Sequence, residues 1–141
     1  MDTVHVAGTK GKGSTCAFVS SFLQQHGNIS GFPKKISLYT SPPLITTRER
    51  IQINGQPISE QLFATYTFEL WDKSWHHASQ TTDRVENMPR YRQLLMLLSL
   101  HVFAREKVDV AIYEAHSGGE YDCTNIINPT VTGLQQSEWI T

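Results

Sequence analysis

A glycine-rich segment near the N-terminus has the residue types that bind phosphate groups. Residues 4–7 favour a β-strand and residues 16–23 have helical apolar periodicity, so the glycines between them predict a strand-to-helix loop. Backbone N–H groups and the helix dipole converge on one anion at such a loop, and Lys12 can supply a positive charge. Gly13 separates Lys12 from Ser14, unlike the ordinary Walker A pattern, and the alternative is a tight connection with a solvated lysine. The predicted phosphate-binding residues are Gly8, Thr9, Lys10, Gly11, Lys12, Gly13 and Ser14.

A carboxylate and an imidazole follow a second apolar segment. Residues 108–113 predict a buried strand that ends at Glu114, and His116 lies two positions further on, near Glu120 and Asp122. Residues two apart share a face in extended chain, so we expect Glu114 and His116 to point into one pocket. A histidine beside carboxylates can transfer protons near neutral pH, and a lysine of the glycine-rich loop could then anchor an anionic substrate. The alternative is that His116 is a hydrogen-bonded bystander in a loop.

The remaining strand signals predict a mostly parallel sheet. Residues 36–39 and 130–134 are short β-prone runs, and residues 51–58 predict a small hairpin because Asn54-Gly55 tolerates the positive φ of its turn. Helical segments separate most of these strands. The fold class is therefore predicted to be α/β, with functional sites at the carboxyl ends of the strands.

Three helices are predicted between the strands. The first follows the glycine-rich loop and ends at Gly27, which suits a left-handed C-terminal position. Ser59 can cap the second, which we expect to run to about Trp75, and Pro89 suits the first turn of the third, which we expect to end near Lys107. The polar stretch after Trp75 is predicted to be an exposed loop that contains two adjacent histidines.

The composition excludes several function classes. The chain has 141 residues with 39% hydrophobic and 18% charged residues, which indicates one folded domain, and its formal net charge is −1. This balance gives no field for nucleic acid or a membrane surface, and no apolar run is long enough to cross a bilayer. The N-terminus is a poor signal peptide, so we expect a cytoplasmic protein. Cys16 and Cys123 form no paired-cysteine motif, and reduced thiols are expected.

Three segments resemble the folylpolyglutamate synthase family of the Mur ligase superfamily, and its eukaryotic and fungal members most. They read, in family order, AGTKGKGSTCAF, YTSPPLITTRERIQINGQPIS and YEAHSGGEYDCTNIINP. The resemblance implies a Mur-ligase-like P-loop domain and a ligase that adds glutamate to folate through an acyl phosphate. It also implies ATP and magnesium as cofactors. In such enzymes the equivalent of Lys12 holds the β- and γ-phosphates, and the equivalents of Ser41 and Glu114 coordinate magnesium.

The chain also departs from the family pattern. Pro43 stands where the family's TSPHL motif has histidine, and His116 stands where the family has glycine after its acidic strand. A later family histidine that contributes to a second metal site is absent. We expect one truncated ATPase domain that lacks the family's N-terminal helices, the rest of its ATPase domain and its C-terminal domain. A truncated sheet leaves an apolar edge uncovered, so we also expect a homo-oligomer, as a dimer.

Two functions remain open from the sequence. The first is a remnant nucleotide and anion site that binds ATP and magnesium weakly and is not a complete ligase alone. The second is reuse of the cleft by an ATP-independent lyase, isomerase or cyclase that needs no cofactor. In that case Glu114, His116 and Lys12 would be catalytic. Both functions predict a small anionic substrate and neither predicts a nucleic acid or membrane partner.

Overall fold

The computed structural model describes residues 1–82, 86–116 and 121–135, and within them one mixed sheet forms the centre of the fold. The strands run in the spatial order β4-β3-β2-β5-β1-β6, and neighbours among β2, β5, β1 and β6 are parallel. The hairpin of β3 and β4 joins β2 in antiparallel orientation. The predicted α/β fold with a mostly parallel sheet is confirmed. The strands are β1 (Asp2–Ala7), β2 (Ile36–Tyr39), β3 (Ile51–Ile53), β4 (Gln56–Pro57), β5 (Val110–Glu114) and β6 (Val131–Leu134).

Helices cover both faces of the sheet. On one face α1 (Lys12–Ser30) packs through Cys16 against Val6 and Ile112. On the other, α2 (Glu60–Ala78) and α3 (Tyr91–Arg105) enclose a larger core that includes Tyr39 and Tyr113. The carboxyl ends of strands β1, β2 and β5 therefore lie together at one end of the sheet, which is called the sheet edge below. Helix α1 lies on one side of this edge and helix α3 on the other. None of the helices described here is long and apolar enough to cross a membrane.

The first helix ends later than the sequence predicts. It continues to Ser30, and Gly31 adopts a left-handed φ of 83° while its N–H donates to the Gly27 carbonyl at 2.8 Å. The prediction that Gly27 ends the helix is wrong. A Cβ at Gly27 would collide with the carbonyl oxygen of Pro33, so this glycine permits a close approach between α1 and the chain leading into β2.

The second helix starts as predicted and also ends later. The Ser59 hydroxyl accepts the Leu62 N–H at 3.2 Å, which is the expected N-cap. Because α2 reaches Ala78, His76 and His77 lie in its last turn, and their prediction as loop residues is wrong. Trp75 is 46% exposed, and Trp71 on the preceding turn is 44% exposed.

Some predictions lie outside the described residues. These are the position of Glu120, the chain after Gln135, and a turn that the sequence predicts at the adjacent glycines Gly118-Gly119.

Candidate functional site

The glycine-rich loop joins β1 to α1, as predicted. Gly8 has a φ of 128° and Gly11 a φ of 78°, and both values favour glycine. Gly11 is the N-cap of α1, and its carbonyl accepts the Thr15 N–H at 3.0 Å. A Cβ at Gly8 would collide with the backbone of Gln135, whose N–H donates to Ala7 at 2.8 Å. The loop therefore brings the positive end of α1 to the carboxyl end of β1, where an anion would be stabilised.

Lys12 is the first residue of α1 and lies across this loop. Its half-buried side chain donates from Nζ to the Gly8 carbonyl at 2.9 Å. The ammonium therefore stays beside the backbone N–H groups of the loop. Five of the other predicted phosphate-binding residues are exposed, namely Thr9, Lys10, Gly11, Gly13 and Ser14.

Glu114 ends β5 and lies against the start of α1. Its side chain is only 5% exposed, and a Cβ placed on Gly13 would be 3.5 Å from its Oε1. Its Oε2 accepts hydrogen bonds from the Thr40 hydroxyl and from the Ser41 N–H, the latter at 3.2 Å. The structure thus brings Glu114, Ser41 and the start of α1 after the glycine-rich loop to one place.

The surroundings of Glu114 suit a cation. In the part of the chain that the structure describes, no lysine, arginine or histidine forms an ion pair with this carboxylate. A buried carboxylate with only neutral donors is costly to maintain, and a bound metal ion would offset that cost. Magnesium prefers carboxylate and hydroxyl oxygens, so Glu114 and the hydroxyl of Ser41 fit it chemically.

His116 lies on the other side of this edge. Its Nε2 is 2.9 Å from the Tyr39 hydroxyl and accepts from Arg50 Nη1 at 3.2 Å, while its Nδ1 is 3.1 Å from Cys123 Sγ. Tyr39 belongs to the core on the α3 side, whereas Glu114 contacts the start of α1. Among the described residues, Glu114 and His116 therefore bond to different sets of partners at this edge of the sheet.

The comparisons with known proteins agree with the loop and the acidic strand. No protein-family model matches the chain. The chain is 53% identical over 137 residues to the folylpolyglutamate synthase of Neurospora crassa, covering 95% of this chain and 26% of that protein. It is 47% identical over 136 residues to the mitochondrial folylpolyglutamate synthase of Homo sapiens, covering 95% and 22%.

The chain is homologous to folylpolyglutamate synthases. It spans about a quarter of the length of these curated relatives.

Solved structures of folylpolyglutamate synthases share the fold. A Mycobacterium tuberculosis folylpolyglutamate synthase complexed with ADP and AMPPCP superimposes with a TM-score of 0.80 at 28% identity, covering 94% of this chain and 28% of that one. A bifunctional folylpolyglutamate synthase/dihydrofolate synthase with Mn, AMPPNP and L-glutamate bound gives 0.78 at 28% identity, covering 99% and 32%. The Mur-ligase-like fold is confirmed.

The sequence analysis missed the neighbours of His116. Tyr39 and Arg50 reach it from β2 and from the turn before β3, across many residues of chain. Burial lowers the pKa of His116 more than the Asp122 carboxylate raises it, and burial raises the pKa of the Cys123 thiol. Both groups are therefore stabilised in their neutral forms. His5 is also buried and bonds the Thr124 hydroxyl at 2.8 Å, as expected for a packing histidine.

Two buried histidines predict an acid-sensitive fold. Burial lowers the folded-state pKa of His5 and of His116 below the ordinary value of 6.5. The unfolded chain then binds more protons, so their contribution is fully present above about pH 6.5 and is lost as pH falls through the folded-state pKa values. We expect the free energy of unfolding, measured in urea, to fall from about pH 7 to about pH 5, with a smaller fall in His5→Gln.

The pH range of this loss of stability distinguishes the effect of the histidines from that of the acidic residues. The lowered pKa values of Glu49, Glu69, Glu106 and Asp109 affect stability only in more acidic solution. A wild-type free energy of unfolding that stays constant or rises on acidification to about pH 5 would contradict the prediction.

Proposed function

We propose that the chain provides the ATP-phosphate and magnesium site of a ligase of the folylpolyglutamate synthase type. The observation that carries this proposal is the buried carboxylate of Glu114 beside the first turn of α1, where Ser41 and the Lys12 loop also meet. Homology to folylpolyglutamate synthases supports it, as do the nucleotide and manganese named for their solved structures.

Each residue of the site has a distinct role in this proposal. Lys12, which donates to the Gly8 carbonyl, would bind the β- and γ-phosphates of ATP together with the N–H groups of the loop. The Ser41 hydroxyl and the Glu114 carboxylate would hold magnesium, and the Thr40 hydroxyl orients that carboxylate through its hydrogen bond. Magnesium, when bound, neutralises the charge that develops on the phosphate oxygens during phosphoryl transfer.

We propose further that glutamate addition to folate requires more than these 141 residues. Ligation needs a nucleotide, an acid and an amine held in line, and much of the rate advantage comes from that alignment. The homologous synthases are about four times as long as this chain. The described site supplies groups for the phosphate and the metal alone.

The acid/base alternative has no specific observation in its favour. It needs Glu114, His116 and Lys12 in one pocket, but His116 bonds Tyr39 while Lys12 donates to Gly8. The dimer expected from the uncovered sheet edge stays a prediction. Helix α1 exposes Phe18 at 66% and Phe22 at 70%, and such a pair on one helix face suits burial against another surface.

Glu114→Gln tests the magnesium assignment. The amide oxygen can still accept from Thr40 and Ser41, but the variant lacks the charge that holds the metal. In calorimetric titrations, we expect wild-type protein to bind ATP more tightly with magnesium than without it. For Glu114→Gln, we expect the affinity for ATP to be the same with and without magnesium. The control is Glu60→Gln, since the Glu60 side chain is 87% exposed.

Two results would contradict the magnesium assignment. One is wild-type binding of ATP that does not change with magnesium at millimolar ligand. The other is a full magnesium effect in Glu114→Gln.

A further inference from the structure

A second group of metal-ligating atoms lies on the α3 side of the sheet edge. His116 Nδ1 is 3.1 Å from Cys123 Sγ and 3.8 Å from Asp122 Oδ1, and one ligand atom from each residue lies within 4.8 Å of the other two. His116 follows β5, while Asp122 and Cys123 begin the short 3-10 helix Cys123–Ile126, with Asp122 as its N-cap. The fold therefore brings an imidazole, a carboxylate and a thiol together.

We propose that His116, Asp122 and Cys123 bind a thiophilic divalent cation, with zinc as the representative ion. Zinc accepts imidazole nitrogen, thiolate sulfur and carboxylate oxygen at about 2.0–2.3 Å, so its ligand atoms lie roughly 3.3–3.8 Å apart in a tetrahedron. The distances of 3.1 Å and 3.8 Å from Nδ1 are already near that spacing. The three groups need only small side-chain movements to surround one ion.

Three protein ligands leave a fourth coordination position. The three residues also line a cavity of about 610 Å³, whose other walls include Arg90, Tyr91, Arg92 and Tyr121. A metal held by the three residues would lie in the wall of this cavity. Its fourth ligand could be water or the carboxylate of a small anionic molecule, which the two arginines would attract.

Metal binding at Nδ1 of His116 changes the hydrogen bonds that its other ring nitrogen, Nε2, can make. When Nδ1 binds a metal, the neutral imidazole carries its proton on Nε2, which can donate to the Tyr39 hydroxyl at 2.9 Å. Arg50 Nη1, now 3.2 Å from Nε2, must then turn away because it can only donate. We therefore expect Arg50→Gln to bind zinc at least as tightly as the wild type does.

This site has different hydrogen-bond partners from the proposed nucleotide site. Within the described residues, Glu114 accepts from Thr40 and Ser41 and Lys12 donates to Gly8, and none of these residues is a proposed zinc ligand. His116 is also where this chain departs from the glycine of the folylpolyglutamate synthase pattern. An absence of zinc binding, measured without nucleotide, would therefore leave magnesium-dependent ATP binding unaffected. An absence of magnesium-dependent ATP binding would likewise leave zinc binding unaffected.

Titration with Zn²⁺ and Co²⁺ in the absence of nucleotide tests the proposal. We expect one ion per chain and a thiolate-to-cobalt charge-transfer band, with affinity at least tenfold weaker in His116→Ala and in Cys123→Ser. His26→Ala is the matched control, because His26 is an exposed histidine on α1. Retention of wild-type affinity within twofold in both site variants would overturn the proposal, since zinc would then bind elsewhere.

A measurement on unaltered protein keeps the test valid if a variant fails to fold. The chain has two cysteines, and Cys16 is fully buried while Cys123 is half-buried. We expect zinc to slow the reaction of Cys123 with an aromatic disulfide reagent at least tenfold. An unchanged rate at saturating zinc would overturn the proposal.

Discussion

Replacing Lys12 with methionine is expected to weaken binding of ATP in the presence of magnesium by about ten- to a hundredfold. Methionine keeps most of the length and apolar surface of the side chain but removes the charged donor. A hydrogen bond to a charged group contributes about 1.5–3 kcal/mol, and 1.4 kcal/mol corresponds to a factor of ten. The variant also loses the bond to the Gly8 carbonyl, which is part-buried. Titration calorimetry of both proteins at equal magnesium gives the ratio of affinities.

The control for this substitution is Lys34→Met. Lys34 is an exposed lysine before β2, and its backbone N–H, rather than its side chain, bonds Asp109 at 2.7 Å. We expect its ATP affinity to match the wild type. Equal loss in both variants would indicate general electrostatic attraction and would contradict a specific phosphate role for Lys12.

The sequence predicted the turns and helix caps that depend only on a few neighbouring residues. The hairpin turn forms where Asn54 and Gly55 tolerate positive φ, with values of 49° and 76°. The Ser59 cap starts α2 because its hydroxyl needs only a backbone N–H three residues later. The glycine-rich loop forms for the same reason, since Gly8 and Gly11 adopt conformations that other residues rarely do.

The errors arose where tertiary contacts overrode a local signal. Gly27 resembled a helix end, but it is glycine because Pro33 approaches the helix there. Strand β5 ends at Glu114, and beyond it His116 contacts Tyr39, Arg50 and Cys123, which a two-residue spacing does not predict.

The family resemblance names some residues of the candidate site but not the hydrogen bonds between them. Ser41 bonds Glu114, which lies beside Gly13, the residue after Lys12, but the donation from Thr40 to Glu114 depends on the pairing of β2 with β5. The contact of Arg50 with His116 spans 66 residues of sequence and has no periodic signal. Such contacts depend on strand order, which the single sequence does not specify.

Gly27→Ala is expected to destabilise the fold by about 1–2 kcal/mol, although alanine is the better helix former. In an exposed helix interior this change would stabilise by about 1 kcal/mol, because glycine loses more backbone freedom on folding. Here the added Cβ meets the backbone carbonyl of Pro33, so α1 or the chain entering β2 must shift, and overpacking of this kind costs about 1–3 kcal/mol. Urea unfolding gives the free energies.

The comparison with Gly31→Ala separates this collision from ordinary backbone strain. Gly31 has a φ of 83°, but apart from its own chain neighbours no atom of the described residues lies within 4 Å of where its Cβ would be. Its substitution should therefore cost about 1 kcal/mol through the left-handed conformation alone. Gly27 has the helical conformation without that strain, and its cost would arise from the close approach. If Gly27→Ala proved as stable as the wild type, α1 could not pack this closely against the segment before β2. The position of α1 on the sheet, which sets the distance from Lys12 to Glu114, would then need revision.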